Sequence, residues 1–185
     1  MIKALFIVGF IFIYSSNVFA NCGKVRIGDF DWDSANVHTA IVAYILEKNF
    51  GCEVEIIKGS TNPITRKLID NKIDLILENW EDNLTTLLQP QLDNKNLTHL
   101  GVNNISEQAF YIDRKTANKY NIQSISDMRD PKIAKLFNNK LISCISGWTC
   151  YTINYVKLKE YGLDHLYKNY DPGSGGSLDA TIIKS

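Results

Sequence analysis

Apolar and polar residues alternate at Lys24-Val25-Arg26-Ile27-Gly28, the two-residue period of a half-buried strand. After a loop at Phe30-Asp31-Trp32-Asp33-Ser34, whose serine is placed to cap a helix, the period lengthens. Val37, Ala40, Ile41, Tyr44 and Ile45 recur at helical spacing, so a helix is predicted from Ala35 to about Lys48, with Gly51 as its left-handed stop. Cys52 to Ile57 reads as the next strand. Ser60-Thr61-Asn62-Pro63 then caps a second helix, with Pro63 near the first turn, where its missing N–H is harmless, and Ile64 and Leu68 on the buried face. Ile73-Asp74-Leu75-Ile76-Leu77 is nearly all apolar, the pattern of a central parallel strand, and delivers Glu78-Asn79-Trp80-Glu81-Asp82-Asn83. Trp32 and Trp80 therefore both fall just beyond the carboxyl ends of strands, where open α/β sheets bind ligands.

From Leu84 the pattern predicts a short helix, then strands at Leu97 to Val102 and Ala109 to Ile112. Arg114 to Tyr120 reads as a helix. Ser126 begins another, with Met128, Ile133, Ala134, Leu136 and Phe137 inside it and Pro131 interrupting it. Leu141 to Ile145 is a strand, and a helix from Tyr151 to Tyr161 buries Ile153, Val156 and Leu158. Leu166 to Tyr170 is a last strand, followed by the turn-rich Asp171-Pro172-Gly173-Ser174-Gly175-Gly176-Ser177 and a helix at Leu178. There is no internal repeat and no low-complexity tract.

The N-terminus changes how the rest is read. Lys3, the apolar run Ala4 to Tyr14, and Val18-Phe19-Ala20 make residues 1–20 a signal peptide cleaved before Asn21. A lipid-modified Cys22 is disfavoured because Asn21 stands where a small residue belongs. Exported thiols are expected to pair, and the four cysteines allow three connectivities. Proximity favours Cys144 with Cys150, leaving Cys22 with Cys52. Neither the cysteine spacing nor the scattered His38, His99 and His165 supports a zinc site, and nothing calls for a cofactor. Twenty basic residues against twenty acidic ones leave no excess charge to attract nucleic acid or an anionic membrane.

Ser143-Cys144-Ile145-Ser146-Gly147-Trp148-Thr149-Cys150 carries the strongest local signal. A bridge across it, contributing about 2 kcal/mol, would hold the Trp148 indole at a strand-to-helix junction. The N–H groups of Thr149 and Cys150 would open the helix, where an anion is favoured. An indole beside such a helix start suits a zwitterion, with its cationic head on the ring and its carboxylate on the amides. On this stretch alone, a buried tryptophan beside a structural bridge explains the residues better.

Taken together, Gly28 to Thr39 with Trp32, Ile73-Asp74 with Glu78-Asn79-Trp80, Gly147-Trp148 between Cys144 and Cys150, Tyr161-Gly162-Leu163, Pro172-Gly173-Ser174 and Leu178-Asp179-Ala180 resemble the substrate-binding proteins of glycine betaine/choline-type ABC transporters. The resemblance implies an α/β, two-lobed periplasmic-binding-protein fold with mostly parallel sheets flanked by helices. The first lobe would occupy residues 21–108 and a partial second lobe residues 109–185. It implies a periplasmic protein that binds a quaternary ammonium osmolyte and delivers it to a membrane permease. Trp80 and Trp148 match cage tryptophans, Trp32 an aromatic found in some branches, Thr149 and Cys150 the carboxylate-binding amides, and Tyr111 is a further candidate wall. Members of the family continue further, with another cage aromatic and a return to the first lobe, so the expectation is a C-terminally incomplete chain. Three indole faces supply roughly 6 kcal/mol at about 2 each, against about 8 for a micromolar complex. Weak betaine binding by these 185 residues is therefore expected.

Two other classes of function remain in view. Asp31, Asp33, Glu78, Glu81 and Asp82 beside tryptophans also describe a glycosidase cleft, though no nucleophile motif or metal triad accompanies them. A sensory domain could use the same α/β scaffold. The Cys144/Cys150 pair lacks Cys-x-x-Cys spacing and an adjacent basic residue, which favours a structural bridge over redox chemistry.

Overall fold

A computed structural model describes residues 22–184; the expected signal peptide, residues 1–20, lies outside them. β1 (Lys24–Phe30) leads to α1 (Asp33–Phe50), β2 (Glu53–Gly59), α2 (Thr61–Ile69) and β3 (Leu75–Ile76). The three strands are parallel in the order β2-β1-β3, with Lys24 opposite Glu53, Phe30 opposite Gly59 and Ile27 opposite Leu75. β1, not the apolar Ile73–Leu77 stretch, is therefore the middle strand. Its later residues are the buried ones, because α2 lies directly on them: a Cβ at Gly28 would stand 2.7 Å from Ile64 Cγ2. Phe30, Ala35, Ile64 and Ile73 form this core.

Two covalent or charged ties fix the sheet. Cys22 and Cys52 are joined, with Cα atoms 4.8 Å apart. Asp74 accepts hydrogen bonds from Arg26 N at 2.8 Å and from its guanidinium Nε at 2.9 Å, while Arg26 O accepts from Asp74 N. These bonds from Arg26 hold the Asp74 carboxyl below its usual range.

α1 reverses the face that its large apolar residues suggest. Ala35, Thr39 and Ala43, spaced by four, are buried against the sheet, whereas Val37, Ile41, Tyr44 and Ile45 are exposed. Small side chains let the helix approach the strands closely, and that contact decides its rotation. No side chain caps α1; Trp32 occupies the cap position, and Gly51 at φ +64° ends the helix.

α3 (Thr85–Asp93) follows a short 3-10 turn at Glu81–Asn83. Residues 98–113 carry neither of the two strands expected there. Leu100, Val102 and Ile105 are exposed, and the link to the β3 side is by side chain, with Asn103 Nδ2 donating to Leu77 O. Apolar content alone does not make a strand where no sheet edge takes up its backbone.

The chain then builds a second core. α4 (Arg114–Tyr120) is capped by Asp113, which accepts from Thr116 N at 2.9 Å. A 3-10 turn at Ile125–Arg129 begins with a capping box between Ser124 and Asp127. Pro131 starts α5 (Pro131–Leu136) rather than interrupting a longer helix, because a first-turn proline gives up no internal hydrogen bond. β4 (Lys140–Ile142) pairs in parallel with β5 (Lys168–Tyr170), and α6 (Thr149–Glu160) and α7 (Gly175–Lys184) flank them. Ala134, Leu158, Leu163 and Tyr167 are buried together, while Val156, expected inside, is half exposed. The fold is thus α/β, with two parallel sheets and helices on each, and among the described residues no helix is long and apolar enough to cross a membrane.

Candidate functional site

The loops that leave β1, β3 and β4 supply the three tryptophans. β1 ends in a buried Phe30, and Trp32 stacks on that ring at 4.5 Å between centroids with 8° between planes. Trp148 sits at the cap position of α6, after a loop held by Asp171, which accepts from Ser146 N at 3.0 Å and Gly173 N at 2.7 Å. Cys144 and Cys150 are joined across this loop. Gly147 takes φ +103°, and a Cβ there would lie 3.0 Å from Ser60 Oγ at the start of α2. The loop after β4 is thereby pressed against the first core.

That contact sets Trp148 against Trp32. Their ring centroids are 5.5 Å apart and their planes meet at 75°. The Trp148 indole N–H donates to Asp31 Oδ1 at 2.5 Å. The two rings border a hollow of about 220 Å³, completed by Asp33, Ser34, Gly175, Leu178 and Asp179. Its lining contains two carboxylates and no basic side chain. Perpendicular aromatic walls with carboxylates beside them offer a methylated cation both ring faces and net negative charge.

Behind Trp32 lies a buried carboxylate, Glu78, only 7% exposed. Its Oε1 accepts from Trp32 Nε1 at 2.7 Å, Ser34 Oγ at 2.9 Å and Trp80 Nε1 at 3.3 Å. His38 Nδ1 stands 3.1 Å from Oε2 without hydrogen-bond alignment, so that approach attracts as an ion pair only when the ring is protonated. Trp80 belongs to this network but not to the small hollow. It borders a larger, open cavity of about 1570 Å³ together with Tyr111 and Cys150.

Residues 23–185 match the family described as the substrate binding domain of ABC-type glycine betaine transport system (OpuAC). The chain belongs to this family. Among curated relatives, it is 34% identical over 82 residues to the glycine betaine-binding periplasmic protein OusX of Dickeya dadantii, covering 41% of this chain and 24% of that protein. It is 40% identical over 62 residues to a glycine betaine/proline betaine-binding periplasmic protein of Salmonella typhimurium, covering 30% of this chain and 19% of that one. A protein of the same description from Escherichia coli is 43% identical over 53 residues, 25% of this chain and 16% of that one. The alignments thus span about a quarter or less of the relatives' length. All three are described as binding proteins of the periplasm rather than as enzymes.

Within this OpuAC domain the expected site residues divide into two groups. Trp32 and Trp148 share the small hollow. Trp80, Cys150 and Tyr111 border the larger cavity, and Tyr111 is 80% exposed on the segment that lacks regular structure. Thr149 and Cys150 are the first two residues of α6, so their N–H groups lie outside its internal hydrogen-bond ladder. Reading the sequence missed the contribution of Leu178 and Asp179 to the hollow and the role of Glu78 as a shared acceptor. An acid placed directly after a nearly all-apolar strand was the available signal for Glu78, since such a position is prone to burial.

Proposed function

We propose that the chain is the solute-binding part of an ABC transporter for quaternary ammonium osmolytes such as glycine betaine. It would act in the periplasm after removal of residues 1–20, passing its ligand to a membrane permease without chemical conversion. The observation that carries this reading is the pair of perpendicular indoles, Trp32 and Trp148, 5.5 Å apart over a hollow edged by Asp33 and Asp179. A trimethylammonium head has no N–H to donate, so it is recognised by ring faces and negative charge rather than by directed hydrogen bonds. The names of the curated relatives, all binders of glycine betaine, support the same ligand class.

In this reading Trp32 and Trp148 are the principal walls, and Trp80, which shares the acceptor Glu78 with Trp32, contributes a third ring from the side of the larger cavity. The amides of Thr149 and Cys150 receive a carboxylate, as the start of a helix favours. Tyr111 closes the outer side of the larger cavity. The two lobes of the proposal are residues 21–108 and 109–185, a division that the presence of two sheets, each with its own core, supports. The glycosidase alternative is disfavoured by Glu78, whose Oε1 already accepts three hydrogen bonds from neighbouring side chains.

A thermal-shift panel of glycine betaine, choline, carnitine, trimethylamine N-oxide and dimethylsulfoniopropionate tests the assignment. At least one of them should raise the melting temperature at millimolar concentration while a neutral sugar does not. A flat response to all five would overturn it. Hydrolysis of a chromogenic glycoside that disappears in Glu78→Gln would revive the enzyme.

A further inference from the structure

Glu78 is the one residue to which two of the three indoles are tied. Trp32 arrives from the loop after β1 and Trp80 from the loop after β3, and each spends its single N–H donor on the same oxygen, Oε1. Ser34 fills a third position on that oxygen, and His38 on α1 faces the other. Burial removes water as a competitor for these bonds, so the carboxylate is a persistent anchor for both indole N–H groups. Trp148 lies outside this network, since its N–H goes to Asp31.

We propose that Glu78 is a positioning residue of the aromatic site: its carboxylate sets the planes of Trp32 and Trp80 and makes both ring faces more negative toward a cation. An anion accepting the indole N–H polarises the ring away from that N–H, which strengthens the attraction of the face for positive charge. With every indole N–H bonded to a carboxylate, none is free to grip the anionic end of a ligand. Discrimination by the rings is therefore for the charge of the head group and not merely for its shape. This deepens the onium reading above and rests on it only for the ligand.

Two measurements separate the proposal from that reading. The first needs no ligand: ¹H–¹⁵N spectra of the uniformly labelled chain resolve the three indole N–H groups. Glu78→Gln should displace the Trp32 and Trp80 signals most, with a smaller ring-current shift at Trp148 passed on by its contact with Trp32, while Asp31→Asn should displace the Trp148 signal most. Trp32 and Trp80 signals that stay in place in Glu78→Gln, or that move no more than that of Trp148, overturn the positioning role. The second compares glycine betaine with 3,3-dimethylbutanoate, its isostere with carbon in place of the charged nitrogen. Glu78→Gln should weaken glycine betaine about five-fold and change the carbon analogue less than about two-fold. Equal weakening of both probes would show that the carboxylate shapes the site without charging it, and would overturn that part. If wild type binds neither probe, the ligand assignment fails and the indole spectra still decide the role of Glu78.

Discussion

Replacing Trp148 by alanine removes one of the two walls that meet over the small hollow. Each desolvated ring face contributes about 2 kcal/mol toward a cation. Trp32 and Trp148 together thus supply about 4, which corresponds to a dissociation constant on the order of 1 mM for glycine betaine. Losing one face should raise that constant about 30-fold. Trp148→Phe keeps a ring but gives up the N–H bonded to Asp31, and should fall between the two. The T-shaped contact with Trp32 adds about 1 kcal/mol to stability, so Trp148→Ala should also lower the melting temperature by about 2–4 °C. Saturation-transfer NMR on the trimethyl signal of glycine betaine follows affinity in this range, and a thermal melt reports the stability. A folded Trp148→Ala that binds glycine betaine as wild type does would refute this role of the ring.

The two disulfides should differ in weight, because loop closure grows with the length enclosed. Cys22 and Cys52 are 30 residues apart and Cys144 and Cys150 only 6. Replacing the first pair by serine should cost about 3.5 kcal/mol and the second about 2 in denaturant titrations; the opposite order would contradict this difference. Gly147→Ala should destabilise the chain by about 1 kcal/mol or more, since φ +103° and the neighbouring Ser60 both oppose a Cβ; an unchanged melting temperature would refute the close packing of that loop. Asp74 has its pKa depressed by Arg26, so its stabilisation is complete above the ordinary carboxylate range and is lost as pH falls through the lowered value. The pair is partly exposed, so the effect is at most about 1 kcal/mol. Melting temperatures from pH 6 to 3 should fall less steeply in Asp74→Asn than in wild type, and parallel curves would remove this role.

The alternation at Lys24 to Gly28, the stop at Gly51 and the cap at Ser60 made the first strand-helix-strand unit readable, because each is a local device. The rotation of α1 was not readable. Apolar spacing marks a helix, but which side meets the sheet depends on how close the backbones come, and here Ala35, Thr39 and Ala43 decide it. The stretch from residue 98 to 113 has enough apolar residues for strands, yet strand formation needs an edge to pair with, which is a tertiary fact. The tryptophans were legible as loop residues after strands. That Trp148 would turn its plane at 75° to Trp32, across more than a hundred residues of sequence, was not, because it depends on Gly147 settling against Ser60. Glu78 was visible as an acid near an aromatic; its burial under both indoles required the loops after β1 and β3 to be brought together.

The proposed function requires Trp32 and Trp148 to form one receptor for a methylated cation. A glycine betaine titration followed at the indole ¹H–¹⁵N signals addresses this directly. The Trp32 and Trp148 signals should shift together along one saturation curve, with a dissociation constant on the order of 1 mM. Indole signals that stay fixed throughout the titration, or that follow separate curves, would contradict it.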